Sequence, residues 1–340
     1  MQDVDVVAVL GLWGGIRRRG SDEVAAATGW WQWDAYRLGL APDPVDEALS
    51  LIPWAEPSGG AVVEFPAGVP ATHVVAGLGG TEADGARLVD IVCVVDAAAL
   101  LPTLREGGAA AQLLVAQLEF STSVRLVGLE GLSPGVRGQV SGVLAAIAPD
   151  ARVETGPAME ASPAADACSE ARRSYSERRP EPGWVRLLNG EVSLAPGGRP
   201  GSAGRDLAGV SAWRYERARP FHSQRLWDAL HGEFGPAGDG WLVRSAGFAS
   251  LAGRGDTVAR WDQIGGCLSL SPLPPTPPGE ELLAIGQDLG IITADLERET
   301  VEELLDAALL SDEEFLAGPT AWEGLLDPFP AWDPVPRTQD

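Results

Sequence analysis

The sequence predicts a two-part chain in which a mostly parallel α/β sheet with interleaved helices is followed by a small α+β domain. Two observations predict the first part. Apolar, β-branched runs stand at 6–10, 61–65, 88–95 and about 124–127, and stretches of helical composition or periodicity lie between them, clearest at 43–53, 108–119 and 134–147. That alternation is the pattern of parallel strands covered by helices. A third observation separates the parts: from 155 to 206 the pattern dissolves into Pro, Gly, Ser, Ala and Arg, the composition of a flexible linker. The predicted boundaries are therefore 1–154, a linker over 155–206 with one short helix near SEARRSYSE, a second domain over 207–333, and a tail over 334–340.

In the second domain, GVSAWRYERARPFH (209–222) alternates like a strand and HSQRLWDALHGEF (222–234) has helical spacing. Strand-like runs follow at 241–252, 266–271 and 281–286, and the Pro-rich SPLPPTPPGE (271–280) reads as a surface loop. The domain closes with an acidic amphipathic helix and a short capping element within TADLERETVEELLDAALLSDEEF (293–315).

Charge limits the partners. The 340 residues carry 48 acidic and 25 basic side chains, a formal net charge of −23, which repels phosphate backbones and anionic lipid surfaces. Neither direct nucleic-acid binding nor membrane association is expected. Every basic residue is arginine, and Asn189 is the only asparagine. The three cysteines, Cys93, Cys168 and Cys267, are far apart, with no CxxC pair, as in a reducing cytoplasm. Asp3 and Asp5 precede a short apolar run that lacks the basic start of a secretory leader. No stretch is long and apolar enough to span a membrane. The expected location is cytoplasmic.

The stretch VVAVLGLWGGIRRRG (6–20) is a strand feeding a Gly-rich turn, the way phosphate-binding loops begin. The loop pattern GxxxxGK[ST] works because glycines let backbone N–H groups wrap the phosphates, the lysine bridges the outer two and the hydroxyl holds magnesium. Laid over it, GLWGGIRR keeps Gly11 and has Gly14 and Gly15, but Ile16, Arg17 and Arg18 replace the three chemically active positions. Arg17 preserves charge without the compact point donor, and Arg18 removes the magnesium ligand. The pattern thus predicts a degenerate phosphate loop over Gly11, Gly14, Gly15, Arg17 and Arg18, whose arginines either hold an anion without hydrolysis or are solvated. Guanine selection by NKxD fails as well, since Asn189 lies in the linker and the corresponding strand end reads VGLE (127–130).

Six ordered blocks in the second half, RPFHSQRL (219–226), VRSAGFASLAGR (243–254), WDQIGGCLSLSP (261–272), LAIGQDLG (283–290), LDAALLSDEEF (305–315) and DPFPAW (327–332), resemble the CobW C-terminal domain. By that resemblance the chain is similar to CobW-type, P-loop-derived proteins of metal homeostasis. The resemblance implies that Glu64 in AVVEFPAG is the family's catalytic-type glutamate, the single catalytic candidate, and that Asp96 in VDIVCVVDAAALL ends the family's valine-aspartate strand. It also aligns AQLLVAQLEFSTSVRLVGLEGLSP (111–134) with the Gln-containing helix before the NKxD strand. The family's CxCC metal signature is absent, because no cysteine precedes Cys93.

One branch of the family, the factor that recruits a ribosome-hibernation protein under zinc starvation, shares an eroded P-loop and a similar QxEF segment. Resemblance to it implies action through protein contacts, with a basic, ribosome-associated partner suited to an acidic body. No cofactor is expected on that reading. The alternative is a GTP-dependent zinc metallochaperone with a divergent but active site, which would require GTP with Mg2+ or Zn2+; a metal-storing module would need a ligand cluster that the sequence does not present.

Interface candidates complete the expectations. Trp30, Trp31 and Trp33 in GWWQWDAY are either an exposed recognition patch or a hydrophobic cluster beneath a loop. Arg219, Phe221 and His222 sit at a helix start, where His222 either caps and packs or serves as a ligand or interface residue. Cys267 follows two glycines and reads as a small buried hydrophobe.

Overall fold

The structure is a computed structural model that describes residues 3–79, 85–155, 174–177, 179–191, 208–232, 240–254, 257–274 and 286–332. Two compact units emerge. The first comprises Met1–Thr103, Ala109–Val140 and Ile147–Pro182; the second comprises Gly183–Asp340 with Leu104–Gly108 and Ser141–Ala146.

The first unit is built on a six-stranded parallel sheet of β1 (Val4–Leu10), β2 (Trp31–Trp33), β3 (Gly60–Glu64), β4 (Ala86–Asp96), β5 (Ser123–Val127) and β6 (Arg152–Thr155), in the order β2-β3-β1-β4-β5-β6. Parallel strands with both faces covered read as continuous apolar runs, and β1 obeys the strand period of two within such a run. Val4, Val6, Ala8 and Leu10 join one core with Ala61, Val63 and Phe65. Val7 and Val9 join another with Val62, Val92, Val94 and Val24 of α1 (Gly14–Thr28). Helix α1 lies close on β4 because residue 20 is a glycine, where a Cβ would press into the Val94 side chain. The predicted helices appear as Pro44–Leu51, Gly108–Glu119 and Pro134–Ile147.

The second unit carries an antiparallel sheet of β7 (Val210–Arg217), β8 (Trp241–Ser250), β9 (Val258–Ile264), β10 (Cys267–Pro272) and β11 (Gln287–Ala294), ordered β10-β9-β8-β11-β7. Helix Ser223–Gly232 packs against helix Arg298–Ala308, and their apolar faces join Trp213, Tyr215, Trp261 and Ile291 in one core. The expected acidic helix is thus Arg298–Ala308, with Asp312–Ala317 as its short successor. Residues 281–285 of the expected strand and 275–280 of the Pro-rich loop lie outside the described residues, as does most of SEARRSYSE.

The linker reading needs correction where 155–206 is described. Tyr175 is buried in the core of the first unit, its hydroxyl donating to the Phe120 carbonyl at 2.8 Å. Helix Gly183–Leu188 belongs to the second unit and packs on β11, and Gly290 has no room for a side chain beneath Trp184 and Leu187. A few large apolar anchors suffice to dock short segments whose average composition is that of a linker.

Candidate functional site

Four of the sequence-predicted positions, Gly11, Arg17, Arg18 and Glu64, meet at the carboxyl ends of β1 and β3. Only Gly11, Leu12 and Trp13 separate β1 from α1, so Gly14, Gly15, Ile16, Arg17 and Arg18 are already helical. An eight-residue cradle over 11–18 therefore does not form. Gly11 holds φ +145° against β4, where a Cβ would strike the Val94 carbonyl; this glycine is required by the close approach of the backbone to the next strand. Helix α1 starts without a side-chain cap, since Trp13 offers no acceptor for the first N–H groups.

One turn into α1, Arg17 points back under the turn. Its Nε donates to Glu64 Oε1 at 3.0 Å and its Nη1 donates to the Gly11 carbonyl at 2.6 Å. The two side chains are only 7% and 2% exposed. Glu64 stands at the end of β3, opposite Val9 in the parallel register, so the sheet itself aims the carboxylate at the helix start. The position that would bridge phosphates is thereby spent on an internal ion pair that ties helix, turn and neighbouring strand together.

Arg18 lies on the outer side of the same turn. It pairs with Asp22 at 3.1 Å, Asp34 at 3.2 Å and Glu64 Oε2 at 3.6 Å. Its hydrogen bond with Asp34, helped by the charges of Asp22 and Glu64, raises its already high pKa. Asp34 is held below the usual carboxylate range, chiefly by the Arg37 backbone N–H at 2.8 Å and further by Arg18. Asp22 and Asp34 were not anticipated as members of this cluster. The Arg18–Asp22 spacing of four is the one signal for it, but reading it requires knowing that 14–28 is a helix.

The other expected positions have local roles. Asp96 ends β4 and caps the following helix, accepting from the Ala98 N–H at 2.9 Å. Gln117, buried in helix Gly108–Glu119, donates to the Ala67 and Val69 carbonyls and so fixes the loop that follows Glu64. Asn189 belongs to the second unit, at the end of helix Gly183–Leu188, its N–H bonded to the Val185 carbonyl.

These groups do not fit magnesium and a nucleoside triphosphate. The hydroxyl ligand is replaced by a cation paired to carboxylates, the bridging charge is buried against Glu64, and the loop is three residues long. Among the described residues no group of three or more His, Cys, Asp or Glu side chains is placed to hold a metal ion. Among them, too, no helix is long and apolar enough to cross a membrane.

The tryptophans divide. Trp31, on the edge strand β2, is 54% exposed and tilts against Trp33 with ring centroids 5.9 Å apart. Trp30 lies over Gly60, where a Cβ would enter its ring, and Trp33 packs on the first core. Of the 219–222 group, Arg219 pairs with Asp312 at 2.5 Å. Phe221 is fully buried and bridges to Leu251 and Leu309, so it offers no surface, contrary to its place among the interface candidates. His222 lies just before helix Ser223–Gly232, its Nδ1 3.5 Å from the Arg225 N–H and its own N–H bonded to the Ala308 carbonyl. Cys267 is half-buried rather than buried, whereas Cys93 is fully enclosed and its thiol is pushed up to about 12 by burial.

Comparison with known proteins places one family match within the second unit. Residues 210–309 match the cobalamin synthesis protein cobW C-terminal domain. Over 327 residues the chain is 28% identical to the zinc chaperone Rv0106 of Mycobacterium tuberculosis, covering 85% of this chain and 72% of that protein. The uncharacterized protein Mb0109 of Mycobacterium bovis gives the same figures. Among solved structures, the Zn(II)-bound YjiA GTPase from E. coli aligns over 91% of this chain and 100% of its own, at 12% identity and a TM-score of 0.37. The antiparallel sheet of the second unit thus lies within the residues that match the CobW C-terminal domain.

Proposed function

We propose that this chain is a CobW-like protein whose nucleotide site has become a structural lock, and that it acts by recruiting or regulating a protein partner in zinc-linked metal homeostasis. One observation carries the reading: the cation in the lysine position is buried and engaged by Glu64 and the Gly11 carbonyl. To bind a phosphate, Arg17 would have to leave the buried Glu64 carboxylate with only the longer 3.6 Å contact from Arg18. That costs about 3–5 kcal/mol before any ligand contact is made. The missing hydroxyl and the short turn add to the deficit. On this reading Glu64 is a positioning partner of Arg17, and no cofactor is required.

The partner is a basic cytoplasmic protein, matched to a net charge of −23. Resemblance to the zinc-starvation branch of the family points to a ribosome-associated factor and to ribosome hibernation as the process served. Affinity capture from zinc-starved and zinc-replete cells identifies it, a basic protein enriched under starvation being the expected result.

A second reading is favoured by likeness to a protein named a zinc chaperone. In it the chain is a GTP-binding metallochaperone, Arg17 swings onto phosphate and Glu64 turns toward water. Titration with a fluorescent guanine nucleotide and magnesium separates the two. The lock predicts no saturable binding into the millimolar range and no hydrolysis, and micromolar binding by the wild-type chain overturns it.

A further inference from the structure

An opening in the second unit has no part in the turn described above. It is a cavity of about 740 Å³ lined by Trp227 and Leu230 of helix Ser223–Gly232, by Leu268 and Leu270 of β10, and by Phe329 and Trp332 of the C-terminal segment. Its volume falls in the range of ligand sites, and its largest side chains are apolar or aromatic, with His231, Gln263, Ser269 and Ser271 between them.

One wall is a strand edge. Among the described residues no strand lies beyond β10. The hairpin joining β9 to β10 has two loop residues, Gly265 and Gly266, and closes on the pair Ile264 and Cys267. In such a hairpin the closing pair exchanges hydrogen bonds and every second pair thereafter does the same. Cys267, Ser269, Ser271 and Leu273 therefore bond to β9, as the Leu273 N–H to Val258 carbonyl bond of 2.9 Å confirms. Leu268, Leu270 and Pro272 turn their backbone groups outward. The Leu270 carbonyl is met there by the indole N–H of Trp332 at 3.2 Å, so this edge already accepts one donor from the chain itself. The Leu268 N–H and carbonyl and the Leu270 N–H face the same side.

We propose that β10 and this cavity dock an extended basic segment of a partner protein, which adds to the sheet as a sixth strand. The inference rests on the recruiter reading and names its docking surface. An outward edge supplies main-chain hydrogen bonds, and the cavity receives alternate side chains of the added strand. Charge sets the sign. Asp228 is exposed on the lining helix, and residues 295–327 hold eleven acidic residues and one arginine; Glu302, Asp306, Asp312, Glu314 and Asp327 are paired with arginines, while Glu299, Glu303, Glu313 and Glu323 add to the surface charge. The helix Arg298–Ala308 from that stretch packs directly on the lining helix. Stacking of His231 on Trp227, with ring centroids 3.9 Å apart, leaves an aromatic platform at the cavity for a guanidinium or ammonium group.

The test uses the full chain and end-capped, fluorescein-labelled hexapeptides: alternating Arg-Val, alternating Glu-Val, and Arg-Val peptides N-methylated at alternate residues in either phase. The expected result by anisotropy is saturable binding of the Arg-Val peptide, at least about tenfold weaker binding of Glu-Val, and loss of binding in one N-methyl phase. Leu268→Pro, which removes an outward N–H without touching a β9 bond, should weaken binding about tenfold, the equivalent of about 1.4 kcal/mol. Absence of saturable binding, equal binding of Glu-Val, or indifference to both N-methyl phases overturns the proposal. Since the N-methyl comparison uses the wild-type chain, it holds even if Leu268→Pro misfolds. Nucleotide binding by the same preparation would sink the recruiter reading independently of the peptide result.

Discussion

The helix-start turn of the first unit and the strand edge of the second are both organised by an arginine, buried in the first and nearly so in the second, and they end in opposite states. Arg17 faces inward, and the groups it binds, Glu64 and the Gly11 carbonyl, belong to the sheet and turn that would otherwise form a ligand seat. Arg254 grips a peripheral segment: it donates to Asp327 at 2.6 Å and to the Phe329 and Pro330 carbonyls at 3.0 and 2.9 Å, and lies 4.1 Å from the centre of the Trp332 ring. The first arrangement fills a cavity. The second props one open, because the segment it holds becomes a wall of the 740 Å³ groove. A motif search leads to the closed place, and the open one lies where no motif points.

Breaking the lock should give the largest effect. Arg17→Ala leaves the buried Glu64 with only the longer contact from Arg18, and unfolding in urea should show a loss of about 3–5 kcal/mol. Replacing both members with apolar groups, Arg17→Met with Glu64→Leu, should recover most of that loss, because a buried pair is worth little more than well-packed apolar side chains. A loss below about 1 kcal/mol in the single variant would mean that water reaches Glu64 and that the turn is open after all.

How much of this was legible follows from where the signals lie. The strands of the first sheet were readable because β1, β3 and β4 are continuous apolar runs; β2 and β6 were missed because each is an edge strand of only three or four residues, too short to establish a period. Helix Gly14–Thr28 was hidden by its own composition, with glycines and arginines masking a narrow apolar stripe of Ile16, Val24 and Ala25. That Ile16, Arg17 and Arg18 replace the loop's active residues was readable; that Arg17 would find Glu64, 47 positions away, depends on β3 lying beside β1, which spacing does not encode. The groove was invisible for a similar reason. Its walls come from 227–231, 266–272 and 329–332, and Phe329 meets Trp227 edge-on at 5.2 Å only after the domain closes.

Loosening the second arginine should be milder. Arg254→Ala removes charged hydrogen bonds from a segment at the surface and should cost about 2–3 kcal/mol, with limited proteolysis newly cutting near residues 325–332 if the strap is released. Arg254→Lys keeps the charge without the planar fork, so it should restore only part of the protection. Trp332→Phe retains the ring stacked beneath Arg254 but loses the bond to the Leu270 carbonyl, and should cost about 1 kcal/mol. In the strand-addition arrangement this variant frees one more acceptor at the β10 edge and should tighten peptide binding.

The smallest effect separates the two regions by acid. Glu314 reaches Arg225 on the groove helix at 2.6 Å and also accepts the Ser311 N–H in a capping box; these bonds, led by the one from Arg225, lower its pKa from 4.5 to about 2. A carboxylate whose folded pKa is depressed contributes stability above its unfolded value, and that contribution is lost as pH falls through the folded one. The Arg225–Glu314 tie should therefore be intact at neutral pH and disappear between about pH 4.5 and pH 2. Since both side chains are about one-third exposed, solvent screens the pair and the change should be small. Glu314→Gln should flatten the slope of stability against pH in that window while leaving the cost of Arg17→Ala unchanged, because the two ties lie in separate compact units. An Arg17→Ala penalty that shrinks in the Glu314→Gln background would instead join the lock and the groove in one cooperative network.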